Sequence, residues 1–343
     1  MKNILNKKIF LIVISLLIFI LSFLYFSPKK NAKSYPNLKG KHLTVYIALR
    51  EEEAKSLLEK FKKETGCTYE YIKLPTEEAV KRILSEKNKP NGDIFIGGTC
   101  DAYELLKSKG ALAKYKSPNA RGILSKYKDP DGYWTGFQVD TLAIGINKAV
   151  WDRDFASKGI LLPTKFEDLL QDEYKGKIIL PNPETSGTGY TLLASLYQQL
   201  GIDNYKNFLE KLTNNVSSYT VSGFNSIQRV SSGEYAVTVD FLGDQLIVKK
   251  SDPNLISITP KNTGWNVDAV AELNNYNNKE VAEDFIDFIL SDDVSSNLSL
   301  YSNAVSTKKY NDITSNIYQN YDFKKAAMEK DTIINTFNNS LDK

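Results

Sequence analysis

The residues with the most chemical potential lie between positions 178 and 190. There Ile178-Ile179-Leu180 runs into Pro181-Asn182-Pro183-Glu184 and then Thr185-Ser186-Gly187-Thr188-Gly189-Tyr190. The pattern is an apolar strand, a Pro-bounded turn, and a hydroxyl- and glycine-rich opening of an apolar helix. Hydroxyls of Thr185, Ser186 and Thr188 would meet the unpaired N–H groups of the first helical turn at the positive end of the helix dipole. Such a place suits an anion, and the glycines let the backbone come close to it. No Gly-Lys-Ser/Thr follows, so the segment is not a nucleotide P-loop. A plain N-cap with a glycine turn satisfies the same spacing, and both readings stand at this stage.

Two further loops share this character. Gly97-Gly98-Thr99 ends a short apolar strand before a helix, the position at which open α/β sheets bind ligands. Tyr219-Thr220-Val221-Ser222-Gly223 precedes another short helix and adds hydroxyls. Asp240 ends the apolar run Ala236-Val237-Thr238-Val239, where its carboxylate suits a ligand amine or hydroxyl, or equally the cap of a turn. Trp265, in Lys261-Asn262-Thr263-Gly264-Trp265, suits a ligand-facing wall or simple packing.

Composition removes competing chemistries. The chain of 343 residues has one histidine, His42, beside a strand-like run. Zinc hydrolases need clustered histidines, and Ser-His or Cys-His nucleophile systems need one near the nucleophile. Residues 1–40 hold seven of the 44 basic residues and no acid, so the rest carries 37 bases against 41 acids. A surface with that balance offers nucleic acid no general attraction. Cys67 and Cys100 fall at the start of one strand and after the end of another, a placement that favours two inert thiols over a disulfide.

The elements that position these residues follow from periodicity. Residues 43–47 alternate as a strand, and 51–65 place Ala54, Leu57, Leu58 and Phe61 on one helical face with Gly66 as the stop. Strand 68–73, a helix capped by Thr76, strand 93–96 and helix 102–108 continue the series. A second cycle contains strands at 142–146, 177–180, 236–241 and 268–273. Its helices fall at 187–200, 205–214, 226–232, 279–290 and 292–301. Repeated βα units predict an α/β fold with a mostly parallel sheet covered on both faces. Upstream, residues 9–26 form an 18-residue uncharged stretch behind Lys2, Lys7 and Lys8. It spans roughly 27 Å as a helix, near the ~30 Å of a bilayer core. Residues 1–26 therefore read as a signal peptide or membrane anchor, and 27–40, with two Pro and four Lys, as a stalk.

The chain resembles a family 1 extracellular solute-binding protein of ABC importers, in the branch of ferric-iron, aminoethylphosphonate, thiamine and hexose-phosphate binders. The resemblance covers most of residues 43–300. It rests on Asp93-Ile94-Phe95-Ile96-Gly97-Gly98, Tyr133-Trp134-Thr135-Gly136-Phe137, Phe166-Glu167-Asp168-Leu169-Leu170 and Glu173-Tyr174-Lys175-Gly176-Lys177. Asn182-Pro183-Glu184-Thr185-Ser186-Gly187-Thr188, Gly233-Glu234-Tyr235-Ala236-Val237 and Thr263-Gly264-Trp265 complete it.

The resemblance implies a two-lobe, type II periplasmic-binding-protein-like fold, with no covalent chemistry, cofactor or metal. Lobe 1 would comprise 41–139 plus 268–343, and lobe 2 would comprise 140–267. The chain would cross between lobes near 138–147 and 257–268, and the C-terminal helices would return to lobe 1. A small anion, a phosphonate such as 2-aminoethylphosphonate or a hexose phosphate, would be captured by lobe closure and delivered to a membrane permease. The expected ligand residues are Gly98, Thr99, Thr185, Ser186, Gly187, Thr188, Ser222, Gly223, Asp240 and Trp265. The receptor would be a monomer, held on the outer face of the cytoplasmic membrane by its N-terminal segment or free in the periplasm. Ferric-iron members commonly use adjacent tyrosines, and this chain has no Tyr-Tyr pair; iron or thiamine remains the alternative ligand.

Overall fold

The computed structural model describes residues 35–275, 278–295, 298, 305–306 and 316–341. The apolar segment 9–26 lies outside the described residues, as does most of the 27–40 stretch. No helix among the described residues is long and apolar enough to cross a membrane. The chain divides into residues 1–36 and a unit of 37–343.

In that second unit the first βα series contains β1 (His42–Ala48), α1 (Glu51–Thr65), β2 (Thr68–Lys73), α2 (Thr76–Ser85), β3 (Ile94–Gly97) and α3 (Cys100–Ser108). There follow β4 (Thr135–Asn147), α4 (Lys148–Asp154), β5 (Ile178–Pro181), α5 (Gly187–Asn215), β6 (Val216–Thr220), α6 (Gly223–Ser231) and β7 (Val237–Phe241). The chain closes with α7 (Leu242–Lys249), β8 (Leu255–Ile258), β9 (Trp265–Glu272), α8 (Lys279–Ile289), β10 (Val305–Ser306), α9 (Phe323–Met328) and α10 (Lys330–Leu341).

Local chemistry accounts for these elements. Helix α1 carries Glu51, Glu52 and Glu53 in its first turn and Lys62 and Lys63 in its last, both favourable to its dipole. Gly66 ends it at φ 76°, a conformation that costs other residues a clash at Cβ. Helix α2 starts one residue earlier than the sequence suggests. Pro75 holds the cap position and Thr76 is the first helical residue, with its hydroxyl not used as a cap. Helix α5 joins two expected helices and breaks at Gly201 (φ 72°, ψ 165°).

The strands form one mixed sheet in the order β2-β1-β3-β9-β4-β7-β5-β6, with β8 and β10 also pairing with β4. Pairs β1–β2, β1–β3, β5–β6 and β5–β7 are parallel. Strand β4 joins the two halves. Residues 135–141 pair antiparallel with β9, and residues 142–147 pair antiparallel with β7 and, from 144, with β8. The two halves of the sheet are thus joined through β4 and through the β8–β9 passage. Aromatic clusters fill both halves: Phe61 packs edge-on to Phe285 and Phe288 in the first, and Trp151 stacks on Phe155 at 4.5 Å in the second.

The C-terminal helices differ from the expected return to the first half. Helix α9 packs on α3, but α10 packs on α5 in the second half. The reason is a set of side-chain bonds from the second half to C-terminal carbonyls. Tyr190 donates to Ala326 O at 2.6 Å, and Thr213 donates to Ser340 O at 3.1 Å. An aromatic contact adds to them, Tyr219 edge-on to Phe337 at 5.4 Å. His42 is exposed at the start of β1, an inner strand and not the edge that was expected, and its Nδ1 meets Thr68 Oγ1 at 2.9 Å. Cys67 and Cys100 are free, buried thiols.

Candidate functional site

A cavity of about 770 Å³ opens between the two halves of the sheet. Its walls come from strand ends and helix starts, as the sheet order demands: β1, β3, β5 and β6 all point their C-terminal ends at it. Its two ends differ in chemistry.

One end collects helix N-termini. Thr76 opens α2, Thr99 precedes α3, Ser186 precedes α5, Ser222 precedes α6, and all four line the cavity. The packing is close enough that a Cβ on Gly187 would lie 2.8 Å from Thr99 Oγ1 and 2.9 Å from Thr76 Oγ1. A Cβ on Gly223 would lie 2.8 Å from Thr188 Oγ1, and one on Gly98 would lie 3.0 Å from Thr76 Oγ1. Ser186 and Ser222 cap their own helices, accepting from Gly189 N and Asn225 N. Thr99 does not cap α3, and its buried hydroxyl lies beside the Asp101 carboxyl, opposing the rise that burial gives that group. Four helix starts turned to one place make this end suited to an anion. The halves also touch here, because Glu77 N donates to Thr185 O at 3.1 Å.

The other end is acidic. Glu53, Asp140, Asp244 and Asp268 line it around the Arg50 guanidinium. Arg50 reaches across the cleft, bonding Glu53 at 2.8 Å in its own half and Asp244 in the other. Gln138 Nε2 donates to Glu53 Oε1 at 2.7 Å, and Asp140 accepts from Gly243 N at 2.9 Å and Thr141 N at 2.8 Å. Burial pushes the Asp140 carboxyl up to about 7, with Asp244 adding to the rise and the two backbone N–H groups opposing it. Asp268 rises well above the carboxylate range through burial, then through Glu53 and Asp140. Burial also raises Glu53 and Asp244, with Arg50 working against both shifts. Burial opposes the Arg50 charge as well, yet Asp244 and Glu53 overcome it and raise its pKa. Between the ends lie apolar Phe224, Phe241 and Ile247.

Of the residues expected from sequence, Gly98, Thr99, Ser186, Gly187, Thr188, Ser222 and Gly223 line this cavity. Three do not. Thr185 turns its hydroxyl to Val221 O at 3.1 Å and so braces two loops behind the cradle. Asp240 is fully buried beneath α7, accepting from Gln245 Nε2 at 2.6 Å, and it is Asp244, one helical turn on, that reaches the cavity. Trp265 donates to Tyr318 O at 3.0 Å and packs on Phe323, so it belongs to the core.

Sequence reasoning missed Thr76 and the whole acidic end. A signal was present: Gln138, Asp140 and Asp268 are polar interruptions in otherwise apolar strands, and Arg50-Glu51-Glu52-Glu53 follows a strand end.

A fold of parallel βα halves joined by crossing strands, with a cleft lined by helix starts, is that of a receptor that holds a solute. Residues 89–325 match the family of bacterial extracellular solute-binding proteins, and the chain belongs to it. It is accordingly the solute-binding component of an ABC importer, and it is not an enzyme. It is 29% identical over 265 residues to an uncharacterised protein of Haemophilus influenzae, covering 74% of each chain. Among solved structures it resembles the periplasmic binding protein AfuA of Actinobacillus pleuropneumoniae with fructose-6-phosphate bound. There the TM-score is 0.81 and the identity 24%, over 89% of this chain and 99% of that one. It is similar too to the periplasmic binding protein P5PA (TM-score 0.80, 26% identity, 88% and 99% covered). The ferric binding protein of Campylobacter jejuni shares the fold (TM-score 0.73, 19% identity, 87% and 99% covered).

Proposed function

We propose that this receptor captures a small solute bearing a phosphoryl or phosphonyl group, a hexose phosphate or an aminoalkylphosphonate. It closes its halves over the solute and presents it to a membrane permease, tethered by its N-terminal segment. The observation that carries the reading is the cradle of four helix starts. Its N–H and O–H donors suit the three oxygens of a phosphoryl group better than a bare cation. Ser186, Gly187 and Thr188 hold that group, Thr99 closes from the first half and Ser222 from the second. The acidic end then accepts bonds from hydroxyls or an ammonium on the rest of the solute.

The same acidic end is what favours a second reading, a cationic solute such as thiamine or ferric iron. Among the described residues no tyrosine lines the cavity, which weakens the iron form of it.

A panel of glucose 6-phosphate, fructose 6-phosphate, aminoethylphosphonate, ferric citrate and thiamine separates the readings by thermal shift. A ligand at 100 times its dissociation constant adds about 2.7 kcal/mol to the folded state, enough for a shift of a few degrees. The phosphoryl reading requires a shift with a phosphorylated compound, and that shift should fall to about half or less when Ser186→Ala and Thr188→Ala are combined. A shift with thiamine or iron alone would replace it with the cationic reading.

A further inference from the structure

The four carboxylates at the acidic end of the cavity are not equally provided for. Glu53 accepts from Gln138 and pairs with Arg50, Asp140 accepts from two backbone N–H groups, and Asp244 pairs with Arg50. Asp268 has no such donor. Among the described residues its carboxylate makes neither a hydrogen bond nor an ion pair, and the Arg50 charge favours its ionisation only from a distance. It lines the cavity from β9, directly across the strand pair from Gln138 of β4. After burial, the charges of Glu53 and Asp140 are what push it up, so two acids crowd it. A partly buried carboxylate in that position is costly unless the solute supplies the missing donor.

Charge points the same way. Glu51, Glu52, Lys55 and Lys73, which also line the cavity, are exposed and cancel one another. Farther in, four carboxylates face one guanidinium, an excess of three negative charges when all are ionised. A phosphoryl group brings about −1.5 to −2 more at pH 7. The helix starts, each worth roughly half a positive charge, answer the phosphoryl group and leave the acidic end without a counter-charge. A hydroxyl there brings one donor but also lone pairs to set against carboxylate oxygens, whereas an ammonium brings three donors, a positive charge and no lone pair. A metal ion does not fit, since no three acidic, His or Cys side chains among the described residues form a set that could hold one.

We propose that the solute carries a protonated primary amine in addition to its phosphoryl or phosphonyl group, and that Asp268, with Glu53 and Asp140 beside it, selects that amine. The inference rests on the phosphoryl reading for the other end of the solute and narrows it. Aminoalkylphosphonates and amino-sugar phosphates satisfy both ends of the cavity; simple hexose phosphates satisfy one.

Calorimetric titration with three matched pairs tests the proposal. They are 2-aminoethylphosphonate with 2-hydroxyethylphosphonate, 3-aminopropylphosphonate with 3-hydroxypropylphosphonate, and glucosamine 6-phosphate with glucose 6-phosphate. The members of each pair differ only in ammonium for hydroxyl. In at least one pair the amine should bind at least about tenfold more tightly than its partner, the worth of a charged hydrogen bond. Asp268→Asn keeps the shape and removes the charge. It should abolish most of that preference while moving the hydroxyl compound's affinity less than about threefold, and Asp268→Ser serves the same purpose if the asparagine variant does not fold. A hydroxyl member that binds as tightly as its amine in every pair, or a preference that survives both variants, would overturn the inference and leave the phosphoryl reading standing. Ethanolamine separates the two claims from the other side: bound as tightly as 2-aminoethylphosphonate, it would remove the phosphoryl reading and keep the ammonium. Failure of all six compounds to bind would overturn both.

Discussion

Replacing Arg50 with Met removes the guanidinium that joins Glu53 and Asp244 across the cleft. Arg50, Asp244 and Glu53 have side-chain exposures of 20%, 15% and 2%. Breaking a buried pair by deleting one partner typically costs about 3–5 kcal/mol, and the partial exposure of two members places this case near the lower bound, about 3 kcal/mol. For a chain of this size that is a melting-point loss of about 6 °C. The pH dependence distinguishes electrostatics from lost packing. Burial raises the folded-state pKa of Glu53, Asp140, Asp244 and Asp268, so the folded protein holds protons that the unfolded chain would release. The stabilisation from such groups is fully present below their unfolded pKa and is lost as pH rises through the folded value. For Asp140 that window runs from 3.8 to about 7. Without Arg50 the carboxylates gain further reason to protonate, and at low pH they do so at little cost. Differential scanning calorimetry of wild type and Arg50→Met should therefore show the full loss at about pH 8 and less than half of it at about pH 5. An equal loss at both pH values would refute the electrostatic reasoning and leave only the packing of the arginine stem.

Gly187→Ala should weaken binding of a phosphoryl probe at least about tenfold, or 1.4 kcal/mol, because its Cβ would lie within 2.9 Å of Thr99 and Thr76 in the cradle. Calorimetric titration checks it. Both thiols should resist a thiol reagent in the native protein: burial pushes Cys67 up to about 11 and Cys100 well above its ordinary value. Reaction of both on adding denaturant, at the rate of unfolding, is the expected result.

Much of the architecture was legible because its elements carry strong periodic signals. Helix α1 and strand β2 match their expected bounds. Short or edge elements were missed: β8 alternates weakly, and α7 begins directly after β7 with no break between them. The anion cradle could be read because hydroxyls and glycines at helix starts leave a local pattern. Polar interruptions marked members of the acidic end, but their meeting could not be read, because Arg50, Asp140, Asp244 and Asp268 lie far apart in the chain and come together only through sheet order. Asp240 and Asp244 show the limit most clearly. Both stand near the end of β7, and only the pitch of α7 decides that the second reaches the cavity while the first is buried under Gln245. Trp265 likewise found a core partner in Phe323, 58 positions away, which no local pattern announces.

The central claim is that a phosphoryl group is held at the helix-start end of the cleft. Isothermal titration of residues 37–343 with glucose 6-phosphate, fructose 6-phosphate and aminoethylphosphonate, for wild type and the Ser186→Ala, Thr188→Ala double variant, tests it most directly. Saturable binding of one of these by the wild type, weakened at least about tenfold in the double variant, is the predicted result. Binding of equal strength in both proteins, or none of these compounds bound while thiamine or iron is, would contradict it.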